Sequence, residues 1–220
     1  MQLKGATVNF LGDSITFGVG ASCVENRYTD VLAREFGLKR ANNYGVSGSR
    51  FARQRVMTDD PSDLDFCMRM EEMALDADAV VVFGGTNDFG HGQAPLGMPC
   101  DREPDTFYGA CHYLMRGLLE RYVGKPVLIC TPLHREGEDN PRGDGTGRKP
   151  SSVATLITYR RIIMEVAEQY ALPVLDLYAT SGIQPENPVC RERLCPDGLH
   201  PSDEGHAIIA RRIGRFLELL

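Results

Sequence analysis

Ser14 closes the triplet Gly12-Asp13-Ser14, and Asp197 precedes His200 by three residues in Asp197-Gly198-Leu199-His200-Pro201. A serine, a histidine and a carboxylate are the side chains that acyl transfer needs: a nucleophile, a base, and a group that orients the base. In that chemistry Ser14 attacks, His200 takes its proton, and Asp197 reaches back to fix the imidazole tautomer and stabilise the imidazolium. The oxyanion formed by attack requires hydrogen-bond donors. Three candidates stand out. The Ser14 backbone N-H is available if the next residues start a helix. The Gly48 N-H, in Gly45-Val46-Ser47-Gly48, can approach a substrate with no Cβ in the way. The Asn87 side-chain amide, in Gly84-Gly85-Thr86-Asn87-Asp88, is the third. Asp13, Arg50 and His134 lie close to these segments or to a strand end and are the expected substrate contacts. For Arg50 and its neighbour Arg53, a solvated face is the alternative reading.

Five β-rich runs, residues 7–11, 40–46, 79–84, 126–131 and 172–178, alternate with helical stretches. Tyr28, Val31, Leu32 and Phe36 share one helical face. So do Phe107, Ala110, Cys111, Leu114, Leu118 and Tyr122, and a third set comprises Val153, Leu156, Ile157, Ile163, Val166, Ala167 and Tyr170. A last helix starts after Pro201, with Ser202 as its cap, Asp203 and Glu204 in its first turn, and Ile209, Ile213, Phe216, Leu217 and Leu220 facing inward. Strands that are nearly continuous apolar runs, separated by helices, predict an α/β fold: a three-layer α/β/α sandwich around a five-stranded parallel sheet. Ligands of such sheets bind beyond the carboxyl ends of the strands, where Ser14, Gly48 and Asn87 all fall. Residues 136–150, rich in Gly, Pro and charge, are expected to form a mobile loop on that rim, either a plain surface insertion or a lid.

With 220 residues, 42% hydrophobic and 25% charged, the chain is expected to fold as one domain spanning residues 1–220. A net charge of -6 with no basic cluster argues against nucleic acid or an anionic membrane as partner. No apolar run approaches the ~20 residues that span a bilayer. No signal peptide is expected, because the first strand begins almost at once, with a removed leader as the alternative, and the seven cysteines form no Cys-x-x-Cys pair. Reduced thiols and a cytoplasmic location are the expectation, with a Cys190–Cys195 bridge as the alternative.

Other patterns are weaker. Gly18-x-Gly20 lacks the third glycine of a dinucleotide fingerprint, so no cofactor is expected. Gly45-Val46-Ser47-Gly48-Ser49 fails the nucleophile-elbow pattern at its last position and reads as a turn. His91, His112, His134 and His206 show no metal-ligand spacing, so no metal is expected.

With its blocks in order from Gly12 to Pro201, the chain resembles the SGNH (GDSL-type) hydrolase family. The family's Ser, Gly, Asn and His correspond to Ser14, Gly48, Asn87 and His200, with the accompanying Asp at Asp197. The first block reads Gly-Asp-Ser-Ile, where the family name has Leu. The resemblance implies a flavodoxin-like sandwich and a metal-independent serine esterase acting on acetyl or other short acyl groups. The implied substrate is a small-molecule or carbohydrate ester. An acyltransferase using the same intermediate and a noncatalytic carbohydrate-binding module are the alternatives. The alcohol half is set by loops such as residues 89–103 and 136–150.

Overall fold

In the computed structural model, which describes residues 1–146, 149 and 154–220, strands β1 (Thr7–Gly12), β3 (Ala79–Phe83) and β4 (Val127–Cys130) are buried along their whole length. Strands β2 (Arg40–Gly45) and β5 (Val174–Leu175) form the edges of a five-stranded sheet of order β2-β1-β3-β4-β5, parallel throughout. The helices are α1 (Ser14–Phe17), α2 (Tyr28–Phe36), α3 (Phe66–Arg69), α4 (Thr86–Gly90), α5 (Phe107–Arg121), α6 (Leu156–Gln169), α7 (Leu177–Thr180), α8 (Pro188–Leu194) and α9 (Asp203–Leu219).

Successive strand side chains point to opposite faces, so each central strand feeds two cores. Val8, Phe10, Val81, Phe83 and Leu128 pack with Leu32 of α2 and Ile209, Ile213 and Leu217 of α9. Leu11, Val80, Val82, Val127 and Ile129 pack with Leu114 and Leu118 of α5 and Ile163 and Val166 of α6 on the other face. Complete burial of each such side chain contributes about 1.5–3 kcal/mol, and these two layers clamp the sheet. The expected five-stranded α/β/α sandwich is the fold observed.

Two local expectations are corrected. β5 is two residues long because Asp176 ends it: its side chain accepts from the Ala179 N-H and turns the chain into α7, so Tyr178 is helical. Leu220 lies beyond the last turn of α9 and is exposed rather than inward-facing. The described residues of the 136–150 segment are mostly exposed, as in a surface insertion, and are tied to neighbouring segments by hydrogen bonds. The Glu136 N-H donates to Gly198 O at 2.7 Å, the Asp144 N-H to Gly90 O at 2.9 Å, and the Leu156 N-H to Glu138 O at 3.0 Å. Residues 147, 148 and 150 lie outside the described residues, as does Val153, expected on the face of α6.

Candidate active site

β1 delivers the chain to the rim at Gly12, where Asp13 caps α1 by accepting from the Ile15 N-H at 3.0 Å. Ser14 is therefore the first residue of a helix, and its own N-H lies where amides have no intrahelical partner. The Ser14 side chain meets a loop from the far end of the chain. His200 Nε2 lies 3.0 Å from Ser14 Oγ, and His200 Nδ1 lies 2.7 Å from Asp197 Oδ2. The other carboxylate oxygen, Asp197 Oδ1, accepts from the backbone N-H groups of Leu199 at 2.8 Å and His200 at 2.6 Å. An ionised carboxylate accepts only, so Nδ1 carries the proton and Nε2 is left to accept from the serine hydroxyl. Partial burial opposes ionisation of Asp197, yet the hydrogen bonds from His200 and Leu199 hold its carboxyl below the usual range.

What brings His200 over Ser14 is the connection between α1 and α2. Gly20, with φ +92°, passes so close to the loop that a Cβ there would sit 2.2 Å from Pro201 O, next to His200. Ser22 donates to Asp203 through its N-H at 2.8 Å and its hydroxyl at 2.6 Å, and Asn26 Nδ2 donates to Asp203 at 2.9 Å. His206 Nε2 bonds Val19 O at 3.2 Å, while the Tyr28 N-H donates to His206 Nδ1. Asp203 and Gly20 thus position the site, a role that their local sequence does not reveal.

The two remaining candidate donors follow β2 and β3. Gly48 has φ +79°, a region costly for any residue with a side chain, and a Cβ there would press on Ser62 at 3.1 Å. Asn87, in α4, donates from Nδ2 to Ser49 O at 3.0 Å. An amide has two N-H groups, so the second is left for another acceptor. Asp88 follows and takes the N-H groups of Phe51 at 3.0 Å and Ala52 at 2.9 Å, so α4 holds the chain that leaves the Gly48 turn. Burial pushes the Asp88 carboxyl up to about 6 against those two bonds.

The expected substrate contacts are placed differently from one another. Asp13 is 1% exposed and is used as the α1 cap, its carboxylate accepting from the Ile15 N-H. Burial pushes it up to about 7, opposed by the Ile15 bond and the Arg69 charge. Arg50 is buried rather than solvated, bonding Asp63 at 2.5 Å, Ser62 O at 3.0 Å and His91 Nδ1 at 3.1 Å. The His134 ring lies against Tyr178, tilted by 37° with ring centroids 3.7 Å apart, and bonds Glu138 Oε1 at 2.8 Å. The residue after it, Arg135, went unnoticed in the sequence. Its guanidinium is buried, bonds Thr86 O and Oγ1 at 3.2 Å, and lines a cavity of ≈ 420 Å³ shared with Asp144, Asp197 and Leu199. Burial pulls Arg135 below its ordinary value, opposed by Asp144, Asp13 and Asp197. Its position just past the end of β4 was the one available signal.

Among the described residues no group of three His, Cys, Asp or Glu is arranged to hold a metal ion. All seven cysteines are free, and the Cys190 thiol accepts from the Gln184 N-H at 3.1 Å. No helix of the described residues is long and apolar enough to cross a membrane.

A family model described as the GDSL-like Lipase/Acylhydrolase family matches residues 10–208. One solved structure is 33% identical with a TM-score of 0.85, covering 100% of this chain and 99% of its own. A protein from Lactobacillus plantarum is 30% identical, with a TM-score of 0.81 and 98% of each chain covered. The lipase/acylhydrolase from Enterococcus faecalis is 25% identical, with a TM-score of 0.65, 97% of this chain and 95% of that one covered. No curated protein matches the sequence.

Proposed function

Because this chain belongs to the GDSL-like lipase/acylhydrolase family, we propose that it is a serine esterase that hydrolyses short acyl esters through an acyl-Ser14 intermediate. The observation that carries this reading is the placement of His200 between Ser14 Oγ at 3.0 Å and Asp197 Oδ2 at 2.7 Å. Ser14 Oγ attacks the ester carbonyl carbon as its proton passes to His200 Nε2, and Asp197 stabilises the imidazolium so formed. The carbonyl oxygen becomes an oxyanion held by the Ser14 N-H, the Gly48 N-H and the Asn87 amide. Collapse breaks the bond to the alcohol oxygen, which takes the proton from His200 and leaves. Water then attacks the acyl carbon, gives a proton to His200, and the second collapse returns that proton to Ser14 Oγ and releases the acid.

The acyl group is short, acetyl being the simplest case, and the alcohol half is a small molecule or a carbohydrate. Supporting a polar alcohol is the Arg135 cavity on the His200 side, whose lining includes Asn140, Asp144 and Asp197. Labelling by a fluorophosphonate tests the nucleophile. Wild type should be labelled and should turn over p-nitrophenyl acetate, whereas Ser14→Ala should be unlabelled and lose roughly 10⁴ to 10⁶ in kcat with its fold intact. Full turnover in Ser14→Ala overturns the proposal.

A further inference from the structure

A second cavity, of ≈ 260 Å³, shares no lining residue with the Arg135 cavity and is lined by Arg50, Gln54, Thr58, Ser62, His91 and Gln93 among others. It is built against the two candidate oxyanion donors. Ser62 is the residue that a Cβ on Gly48 would touch, and His91 follows Asn87 by one helical turn, its N-H donating to Asn87 O at 3.0 Å. Arg50 bridges the two loops by bonding His91 at 3.1 Å.

Gln54 gives this cavity a chemical preference. Its side chain is 6% exposed, and its Oε1 accepts from the Gln93 N-H at 3.0 Å. That bond fixes which end of the amide is oxygen, so Nε2 is directed elsewhere. Nε2 is buried with no hydrogen-bond partner among the described residues. A buried donor in that state costs free energy that a ligand acceptor would recover. The cation of Arg50 is already matched by Asp63 at 2.5 Å, so the lining offers little attraction for an anion. A neutral oxygen is the complementary group.

The reaction geometry says which half of an ester reaches this cavity. In the proposed esterase, on which this inference rests, His200 protonates the departing alcohol, so the alcohol lies on the flank of His200, Asp197 and Arg135. The carbonyl oxygen meets the Gly48 and Asn87 donors, and the acyl substituent of the same carbon takes the remaining direction, past those donors and away from His200. We propose that the cavity behind Gly48 and Asn87 binds the acyl half, and that Gln54 Nε2 donates to an oxygen carried by that acyl group. The natural acyl group is therefore short and oxygen-substituted, of the hydroxyacyl, alkoxyacyl or oxoacyl class, rather than plain acetyl. At about 30 Å³ for each water-sized group, the cavity holds roughly eight of them, which suits a short acyl group.

Two isosteric pairs of esters test this. p-Nitrophenyl methoxyacetate and p-nitrophenyl butyrate differ by an oxygen for a methylene on the acyl side, while 2-methoxyethyl acetate and butyl acetate differ likewise on the alcohol side. Each is compared in wild type, Gln54→Leu and Gln54→Glu. The Glu variant retains an acceptor for the Gln93 N-H and so decides the matter if the Leu variant fails to fold. Taking each variant relative to wild type cancels the intrinsic reactivity of the esters. The methoxyacetate-to-butyrate ratio of kcat/KM should fall about 3- to 10-fold in both variants, and the alcohol-side ratio should not move. An acyl-side ratio unchanged in Gln54→Glu, or a change confined to the alcohol-side pair, overturns the inference while leaving the esterase reading intact. A wild type that turns over none of these esters and is not labelled at Ser14 overturns both.

Discussion

Asp197 grips His200 from two directions: one carboxylate oxygen accepts from the His200 backbone N-H at 2.6 Å and the other faces ring Nδ1 at 2.7 Å. The same side chain thus shapes the loop and sets the tautomer, and two substitutions separate the roles. Asp197→Asn keeps an oxygen for the backbone but can turn an amide N-H toward Nδ1, favouring the wrong tautomer. It should lower kcat about 10⁴-fold with little change in Tm. Asp197→Ala loses the backbone bonds as well and should lower both kcat and Tm. Equal Tm losses with unchanged kcat would make Asp197 a loop-shaping residue alone.

Asn87 is the sharper test of the oxyanion assignment. Asn87→Ala should cost roughly 10² to 10³ in kcat with KM little changed, because the donor acts on charge that develops during attack. The bond to Ser49 O adds a modest loss of Tm. Asn87→Asp places a carboxylate against both the Ser49 carbonyl and the developing oxyanion, so it should be at least as damaging to kcat as Ala. If Asp is tolerated and Ala is not, Asn87 serves the turn and not the reaction.

Both ring nitrogens of His200 are engaged, Nδ1 by Asp197 and Nε2 by Ser14, which leaves none to ligate a metal in this arrangement. Ester turnover should accordingly survive dialysis against EDTA. A rate abolished by the chelator and restored by zinc would replace the triad with a metal-bound hydroxide.

Asp13 makes stability depend on pH with a defined sign. Burial raises its folded pKa from 3.8 to about 7, so between those values the folded chain holds a proton that the unfolded chain has lost. Stability then falls as pH rises through that window and levels off above it. Asp88, raised to about 6, acts in the same direction. Asp13→Asn can still accept from the Ile15 N-H but carries no titration. From pH 5 to pH 8, Tm of the wild type should fall further than Tm of Asp13→Asn. Parallel curves for the two proteins would refute the assignment of the shift.

Local patterns were enough for the scaffold. The continuous apolar runs at 79–83 and 127–130 mark strands buried on both faces, and the helical periods of 107–118 and 203–217 supply matching apolar stripes. Strand-end residues pick out Ser14, Gly48 and Asn87, and the three-residue spacing of Asp197 and His200 is short enough for one loop to join them. The length of β5 was not legible, because the Asp176 cap that ends it is held by partners on other segments: Thr131 Oγ1 at 2.9 Å and the Arg160 guanidinium.

Tertiary structure alone decided the rest, and for one reason. Meeting of Ser14 and His200 spans 186 positions, Arg135 finds Thr86 across 49, and Gln54 takes its orientation from Gln93 across 39. A residue's type states what bonds it can make, and neighbours in sequence say which of them are met locally. Which of its remaining donors and acceptors end up buried, satisfied or facing a cavity depends on segments that only the folded sheet brings together. Ser14 and His200 were therefore readable from the sequence as chemical types, whereas the buried amide of Gln54, an ordinary glutamine in a loop, acquired its meaning from the fold.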